Sequence, residues 1–147
     1  MKTRVLLVDD EGEFVEALAE RLTIRDYDTT TSLSGEDALE KVKHYNFDVV
    51  VLDVRMPGMS GIEVLREIKG LKPLIEVIML TGHATVETAI EGMKQGAADF
   101  LIKPCETEDL LSKINKAYDK KAEHEERIRD AKVKEFISSP RAALKGN

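Results

Sequence analysis

A chain of 147 residues, 42% of them apolar, is long enough for one domain with its own core. The net charge of −6 disfavours general nucleic-acid binding, and no apolar run approaches the ~20 residues of a membrane span. A single cysteine, Cys105, excludes an internal disulfide and is typical of a reducing compartment. The short apolar run near the N-terminus is unlike a signal peptide. We therefore expect a soluble cytoplasmic protein.

Strand and helix patterns alternate along the first half of the chain. A strand is predicted at residues 4–8, a helix at 11–24 and a threonine-rich strand at 27–31, which is typical of a sheet edge. Ser34 is a suitable N-cap for a second helix. The strand at 47–52 is apolar apart from Asp48, which predicts a central position in the sheet.

The alternation continues through the second half. A turn at Met56-Pro57-Gly58 precedes a third helix, where Ser60 and Glu63 predict a capping box. A strand at 74–80, a helix at 84–95, a strand at 99–102 and a last helix from Thr107 follow. The last two helices carry these apolar stripes: Val86, Ile90 and Met93, then Leu110, Leu111, Ile114, Ala117 and Tyr118.

Residues 119–134 are nearly all charged or alanine. This composition favours helix, but a helix that is polar all round cannot pack on a core. One interpretation is a solvated extension of the last helix. The other is a dimerising or linker helix that uses Ile128 with Phe136 or Ile137.

Five strand–helix units in this order predict an α/β fold with a parallel sheet, because each helix is long enough for a right-handed crossover. We divide the chain into a folded domain at 1–119 and a charged, largely helical extension at 120–147. The extension is expected to end in a disordered tail after Ser138-Ser139-Pro140.

Polar side chains stand at the ends of four predicted strands. Asp9 and Asp10 follow the first strand, Asp53 the third, Thr81 the fourth and Lys103 the fifth. Because ligands of open α/β sheets bind beyond the carboxyl ends of the strands, the fold would gather these groups at one rim. Taken singly, each has an ordinary structural explanation, such as a helix N-cap for either first-strand carboxylate. The joint arrangement is specific.

The three carboxylates repel one another when they are close, and a divalent cation removes that conflict. Mg²⁺ suits hard oxygen ligands and commonly binds carboxylates together with a substrate phosphate. A zinc site is not indicated, because the histidines lack its spacing; they are His44, His83 and His124. A carboxylate can also act as a nucleophile and form an acyl phosphate, beside a fixed cation such as Lys103.

These residues resemble the receiver domain of bacterial two-component response regulators, the CheY-like family, over about residues 3–120. The resemblance rests on Val8-Asp9-Asp10-Glu11, Leu52-Asp53-Val54-Arg55-Met56-Pro57-Gly58-Met59-Ser60-Gly61, Leu80-Thr81-Gly82 and Lys103-Pro104. Residues 82–104 are more loosely similar to receivers of NtrC-type enhancer-binding activators. The resemblance implies a flavodoxin-like (βα)5 three-layer sandwich with parallel strand order 2-1-3-4-5. It also implies a cis Lys103-Pro104 bond.

The resemblance implies a phosphoacceptor and a metal site. Asp53 would accept a phosphoryl group from a sensor histidine kinase or a phosphotransfer protein. Asp10, Asp53 and the backbone carbonyl of Arg55 would bind Mg²⁺, and Asp9 would bind it through water.

The resemblance further implies a switch. Lys103 would pair with the phosphoryl group, while Thr81 would swing toward it beside the exposed backbone amide of Gly82. Phe100 stands at the switch aromatic, which turns inward as Thr81 moves. Many members have Tyr there, so this chain lacks that hydroxyl.

Arg55 and His83 occupy positions that tune phosphoryl lifetime in the family, although both are equally consistent with solvated side chains. The switch would alter the surface of the fourth helix, fifth strand and fifth helix, including Lys94, Gln95 and Ile102. That surface would bind a downstream protein partner or effector domain. The implied partners exclude nucleic acid and membrane, and a weak or phosphorylation-dependent homodimer is expected.

Two other classes stay open. A metal-dependent phosphohydrolase would also use an aspartyl phosphate, but it generally needs an Asp two residues beyond the nucleophile, where Arg55 follows Asp53. A scaffold module could keep the fold and leave the site unused. The resemblance instead implies a signalling domain that is not an enzyme beyond its own phosphorylation and dephosphorylation. It would be either a single-domain regulator or a receiver from a longer protein.

Overall fold

A computed structural model describes residues 2–138 of the chain. Strands and helices alternate through this part, as the apolar patterns predict. The elements are β1 (Arg4–Val8), α1 (Gly12–Ile24), β2 (Asp28–Ser32), α2 (Gly35–His44), β3 (Val49–Leu52), α3 (Gly61–Leu71), β4 (Glu76–Thr81), α4 (Val86–Lys94), β5 (Asp99–Ile102) and α5 (Thr107–Ser138).

The strands form one parallel sheet in the order β2-β1-β3-β4-β5. The predicted strand order is therefore confirmed, with the threonine-rich β2 at an edge and β3 in the centre. Because the chain leaves β1 in one direction along the sheet and β3 in the other, the carboxyl ends of these neighbours border the topological switch point.

The helices cover both faces of the sheet, which confirms the three-layer sandwich. Successive strand residues point to opposite faces, so β1 divides its side chains between two cores. Val5 and Leu7 join the cluster under α1 and α5, and Leu6 and Val8 join the cluster under α2 and α3.

Hydroxyl side chains cap three of the helices. The Ser34 hydroxyl accepts from the Asp37 amide at 3.1 Å, as predicted for α2. At α3 the Ser60 hydroxyl accepts from the Glu63 amide at 3.3 Å, but the Glu63 carboxylate accepts from that hydroxyl rather than from the Ser60 backbone. The complete capping box belongs to α4, where it joins Thr85 and Thr88.

Helix α4 departs from the ordinary amphipathic pattern. An apolar stripe on a surface helix usually faces the core. Here Val86 is 77% exposed, and Ile90 and Met93 are each 50% exposed. The small residue Gly92 is buried instead, opposite Phe100. The α4 stripe predicted from the sequence therefore faces outward.

Helix α5 runs for 32 residues, through the charged segment and up to Ser138. The expectation that this segment cannot pack is wrong at Lys121, which is buried and lies 3.3 Å from the Asp48 carboxylate. Tyr118, placed on the core stripe by the sequence, is 36% exposed. The predicted disordered tail lies outside the described residues. In the part of the chain that is described, no helix is both long and apolar enough to cross a membrane.

Candidate functional site

The fold brings the four strand ends together at one rim. Val8 pairs with Leu52 at the carboxyl ends of β1 and β3, so Asp9 and Asp53 leave neighbouring strands side by side. The Asp53 amide donates to the Val8 carbonyl at 3.0 Å and extends this pairing by one residue. Asp9 and Asp53 are both buried, each at 3% exposure.

Three carboxylates converge at this point. Oxygens from Asp9, Asp10 and Asp53 all lie within 4.8 Å of one another, and Asp10 is the exposed member. One Asp9 oxygen accepts from the Glu11 amide at 2.9 Å, which turns the chain toward α1. Neither Asp9 nor Asp10 is the N-cap of α1, because Glu11 occupies that position and α1 has no side-chain capping hydrogen bond.

The carboxylate cluster fits a hard divalent cation. Oδ1 of Asp53 is buried and has no hydrogen-bond partner among the described residues. A buried carboxylate oxygen without a donor is unfavourable, and a cation held by three carboxylates would satisfy it. The donor set consists of oxygens, as Mg²⁺ prefers.

Burial raises the pKa of the Asp53 carboxyl above its ordinary value, and the Asp9 carboxylate acts in the same direction. The Thr81 hydroxyl, Lys103 and the Arg55 amide lower the pKa but do not offset these effects. The electrostatics at Asp53 therefore favour the arrival of positive charge.

Lys103 supplies a cation next to the carboxylates. Its ammonium lies 2.5 Å from Oδ2 of Asp9 and 4.0 Å from Oδ2 of Asp53. Burial opposes the charged form, but the carboxylates of Asp9, Asp53 and Glu11 together outweigh it and raise the pKa of Lys103. The ammonium is therefore fixed and charged within reach of Asp53. The Lys103-Pro104 bond is cis, as predicted.

Thr81 is the rim residue at the carboxyl end of β4. Its side chain is fully buried, and its hydroxyl accepts from the His83 amide at 3.1 Å. The next residue, Gly82, is exposed and has open space where a Cβ would lie. The backbone after Thr81 is thus accessible from the rim.

The side chains of the remaining predicted residues do not join the carboxylate cluster. Phe100 is half-buried and packs against the α2–α3 side of the core. The side chains of Arg55 and His83 are both exposed.

The loop after Asp53 is held by contacts that the sequence reasoning missed. The Gly61 amide donates to the Val54 carbonyl at 2.7 Å, and a Cβ on Gly61 would lie 1.9 Å from the Asp53 carbonyl oxygen. The Met59 amide donates to Glu36 at 3.1 Å. The motif did contain Gly61, whereas the Glu36 contact joins α2 to a distant loop and leaves no local signal.

Phe14 is also missing from the sequence-based site. Its ring centroid lies 4.0 Å from the Lys103 ammonium nitrogen. The sequence places Phe14 on the apolar stripe of α1, and it does pack partly against that core. Its second contact depends on the Lys103 side chain, which reaches α1 from the loop after β5.

Related sequences identify the family to which the chain belongs. Residues 5–115 match the response regulator receiver domain family. The transcriptional regulatory protein ZraR of Escherichia coli is 42% identical over 113 residues, which make up 77% of this chain and 26% of ZraR. The regulatory protein LuxO of Vibrio cholerae is 36% identical over 111 residues, or 76% of this chain and 24% of LuxO. The chain thus spans about a quarter of the length of these relatives.

The fold also matches solved receivers. A CheY-like response regulator receiver domain protein from Methanospirillum hungatei superposes with a TM-score of 0.82 at 27% sequence identity. The match covers 84% of this chain and 99% of that one. By sequence family, strand order and structural similarity, the chain belongs to the CheY-like response regulator receiver domains of two-component signalling.

Proposed function

We propose that Asp53 accepts a phosphoryl group from a sensor histidine kinase or a phosphotransfer protein. One observation carries this proposal: a buried carboxylate with an unpartnered oxygen lies among two further carboxylates and 4.0 Å from a lysine ammonium. Nucleophile, metal ligands and phosphate-binding cation are thus assembled before a donor arrives.

In the proposed transfer, an oxygen of Asp53 forms a bond to phosphorus while the phosphorus–nitrogen bond of the donor phosphohistidine breaks. The imidazole leaves with the electron pair of that bond, and the product is an acyl phosphate. Hydrolysis by water returns the carboxylate. Under this proposal the chain catalyses only its own phosphorylation and dephosphorylation.

Asp9, Asp10, Asp53 and the backbone carbonyl of Arg55 are proposed to hold Mg²⁺. When bound, the ion would offset negative charge on the phosphoryl oxygens. Lys103 would pair with one of these oxygens, because its ammonium already lies beside Asp53.

We propose that three residues respond to the phosphoryl group by changing their contacts: Thr81, Gly82 and Phe100. The Thr81 hydroxyl and the Gly82 amide would donate to the phosphoryl oxygens, and Phe100 would turn further inward as Thr81 moves. A phosphoryl group adds charge and acceptor oxygens, which is sufficient to shift such a two-state element. The exposed Arg55 and His83 lie where they could alter access of water to the acyl phosphate.

The surface of α4, β5 and α5 is the proposed output. It exposes large apolar side chains without a partner in the described residues: Val86, Ile90, Met93 and Ile102. Few buried side chains anchor α4, so its position can respond to events at Thr81. A downstream protein or an effector domain would bind this surface in one of the two states.

We propose a boundary near residue 119 between the receiver domain and a charged extension. Ile128, Val133, Phe136 and Ile137 are exposed along the helical part of the extension. These side chains support a weak or phosphorylation-dependent homodimer, which sedimentation with and without beryllofluoride would detect. A cytoplasmic location, expected from the single cysteine, remains a prediction.

The test is phosphorylation by a small acyl-phosphate donor with Mg²⁺, followed by intact mass. The wild-type chain should gain one phosphoryl group, and Asp53→Asn should gain none. Asp28→Asn is the matched control, since Asp28 is an exposed carboxylate at the opposite end of the sheet. It should label like the wild type.

Three outcomes would contradict the proposal. Labelling of Asp53→Asn at the wild-type level would place the phosphoryl group elsewhere. A folded wild-type chain that never labels would favour a scaffold, and steady multiple turnover of a phosphate ester would favour a phosphohydrolase.

A further inference from the structure

Phe14 makes a contact that the proposed phosphorylation chemistry does not assign. Its ring lies against the Lys103 ammonium, 4.0 Å from nitrogen to centroid, and the Lys103 side chain is only 14% exposed. We infer that Phe14 is a positioning residue, which keeps this ammonium above Asp53 through a cation–π contact. The inference rests on the proposed role of Asp53 as phosphoacceptor.

Three carboxylates compete for the same ammonium. The nitrogen lies 2.5 Å from Asp9, 3.4 Å from Glu11 and 4.0 Å from Asp53. Asp9, the nearest of the three, therefore draws the Lys103 ammonium away from Asp53, where the proposed phosphoryl group would be. The Glu11 carboxylate is 67% exposed, so solvent weakens its attraction.

Asp9 has two proposed roles, and one weakens the other. It is the closest partner of Lys103, and it belongs to the carboxylate cluster that would hold a cation. An oxygen committed to a cation attracts the ammonium less strongly. The Phe14 ring is neutral and binds no metal, so its attraction does not depend on the state of the cluster.

The ring does more than fill space. An ammonium within about 6 Å of an aromatic face is attracted by the ring quadrupole, and the attraction increases when water is excluded. Phe14 is half-buried on the first turn of α1, where it also packs on the core. Leucine would keep much of the packing and lose the quadrupole, whereas tyrosine would keep both.

Two kinds of variant separate these roles. Phe14→Leu removes the aromatic face, Phe14→Tyr restores it, and Phe14→Met is a second aliphatic replacement if the leucine variant does not fold. Phe47→Leu is the matched control, because Phe47 is a buried phenylalanine in the core on the other face of the sheet.

The first measurement needs neither phosphate nor metal. In the NMR spectrum, the ε-methylene protons of Lys103 should show an upfield ring-current shift in the wild type. We expect Phe14→Tyr and Phe47→Leu to retain this shift and Phe14→Leu to lose it. An unshifted wild-type resonance would overturn the contact itself.

The second measurement is the apparent affinity for beryllofluoride at saturating Mg²⁺. We expect Phe14→Leu to weaken it about three- to tenfold, with Phe14→Tyr and Phe47→Leu close to the wild type. Wild-type binding that Phe14→Leu leaves unchanged would overturn the positioning role alone. A wild type that does not bind beryllofluoride would overturn the proposed function, and the positioning role with it.

Discussion

The ammonium of Lys121 lies 3.3 Å from the carboxylate of Asp48, and both side chains are about nine-tenths buried. Arg4 reaches the same carboxylate at 3.0 Å, and Glu125 contacts Lys121 at 3.2 Å from the next helical turn. This network joins the amino end of the sheet to α5. It anchors α5 at Lys121 to the amino end of the sheet.

Loss of the Lys121 charge should destabilise the fold. In Lys121→Met, Asp48 keeps Arg4 but loses a buried partner, so we expect the free energy of unfolding to fall by about 1–2 kcal/mol. Urea unfolding at neutral pH measures this change. Lys134→Met is the control, because Lys134 is exposed on the same helix. Equal stability of the two variants would contradict a structural role for Lys121.

The Asp48 network should also shape acid stability. Burial opposes ionisation of Asp48, but the hydrogen bonds and charge of Arg4, together with Lys121, outweigh it and lower the pKa of Asp48 below 3.8. Since the folded protein holds this proton less tightly than the unfolded chain, Asp48 adds stability above pH 3.8. That stability is lost as the pH falls through the lower folded value.

We therefore expect Asp48→Asn to be less stable than the wild type at neutral pH. The difference between their free energies of unfolding should become smaller in acid. Urea unfolding across this pH range tests the prediction, and Glu16→Gln, which removes an exposed carboxylate on α1, controls for general charge effects. If the difference in the free energy of unfolding does not change with pH, ionisation of Asp48 does not contribute to stability.

A methyl group at Gly61 should disturb the loop that follows Asp53. The added Cβ would lie 1.9 Å from the Asp53 carbonyl oxygen, so the backbone at Asp53 has to shift. We expect Gly61→Ala to lose at least about 2 kcal/mol of stability and to bind beryllofluoride poorly. Gly70→Ala is the control in the same helix, because nothing lies within 4 Å of its Cβ. It should be more stable than the wild type by about 0.5–1 kcal/mol.

The cap of α4 should control the local stability of that helix. The Thr85 hydroxyl accepts from the Thr88 amide at 3.0 Å, and α4 has few buried side chains to compensate for its loss. We expect Thr85→Ala to weaken the helix by about 1 kcal/mol and to speed amide exchange within residues 86–94. Thr85→Ser keeps a hydroxyl and should exchange like the wild type. Unchanged exchange in the alanine variant would show that the cap is dispensable.

The sequence predicts the sheet and the rim well because both depend on local pattern. Apolar runs fix the strands, and a polar residue directly after a parallel strand has to lie at its carboxyl end. Asp9, Asp53, Thr81 and Lys103 are found there for this reason.

Contacts that depend on tertiary approach could not be predicted in this way. The ring of Phe14 meets Lys103 only because the fold brings the loop after β5 and the first turn of α1 to the same rim of the sheet. Lys121 looks like one more surface charge until Asp48 is placed opposite it. In α4 the apolar stripe that includes Val86 does not face the core. The core side of that helix is occupied by Gly92, which lies against the Phe100 ring.

The length of α5 has a mechanical consequence. From Lys121 to the helix end at Ser138, the extension spans about 26 Å at 1.5 Å per residue. A tilt of about 5° at Lys121 would displace the far end by about 2 Å, by the geometry of a rigid rod of this length. A small rotation of α5 about the Asp48 contact would therefore produce a much larger displacement at the far end of the helix.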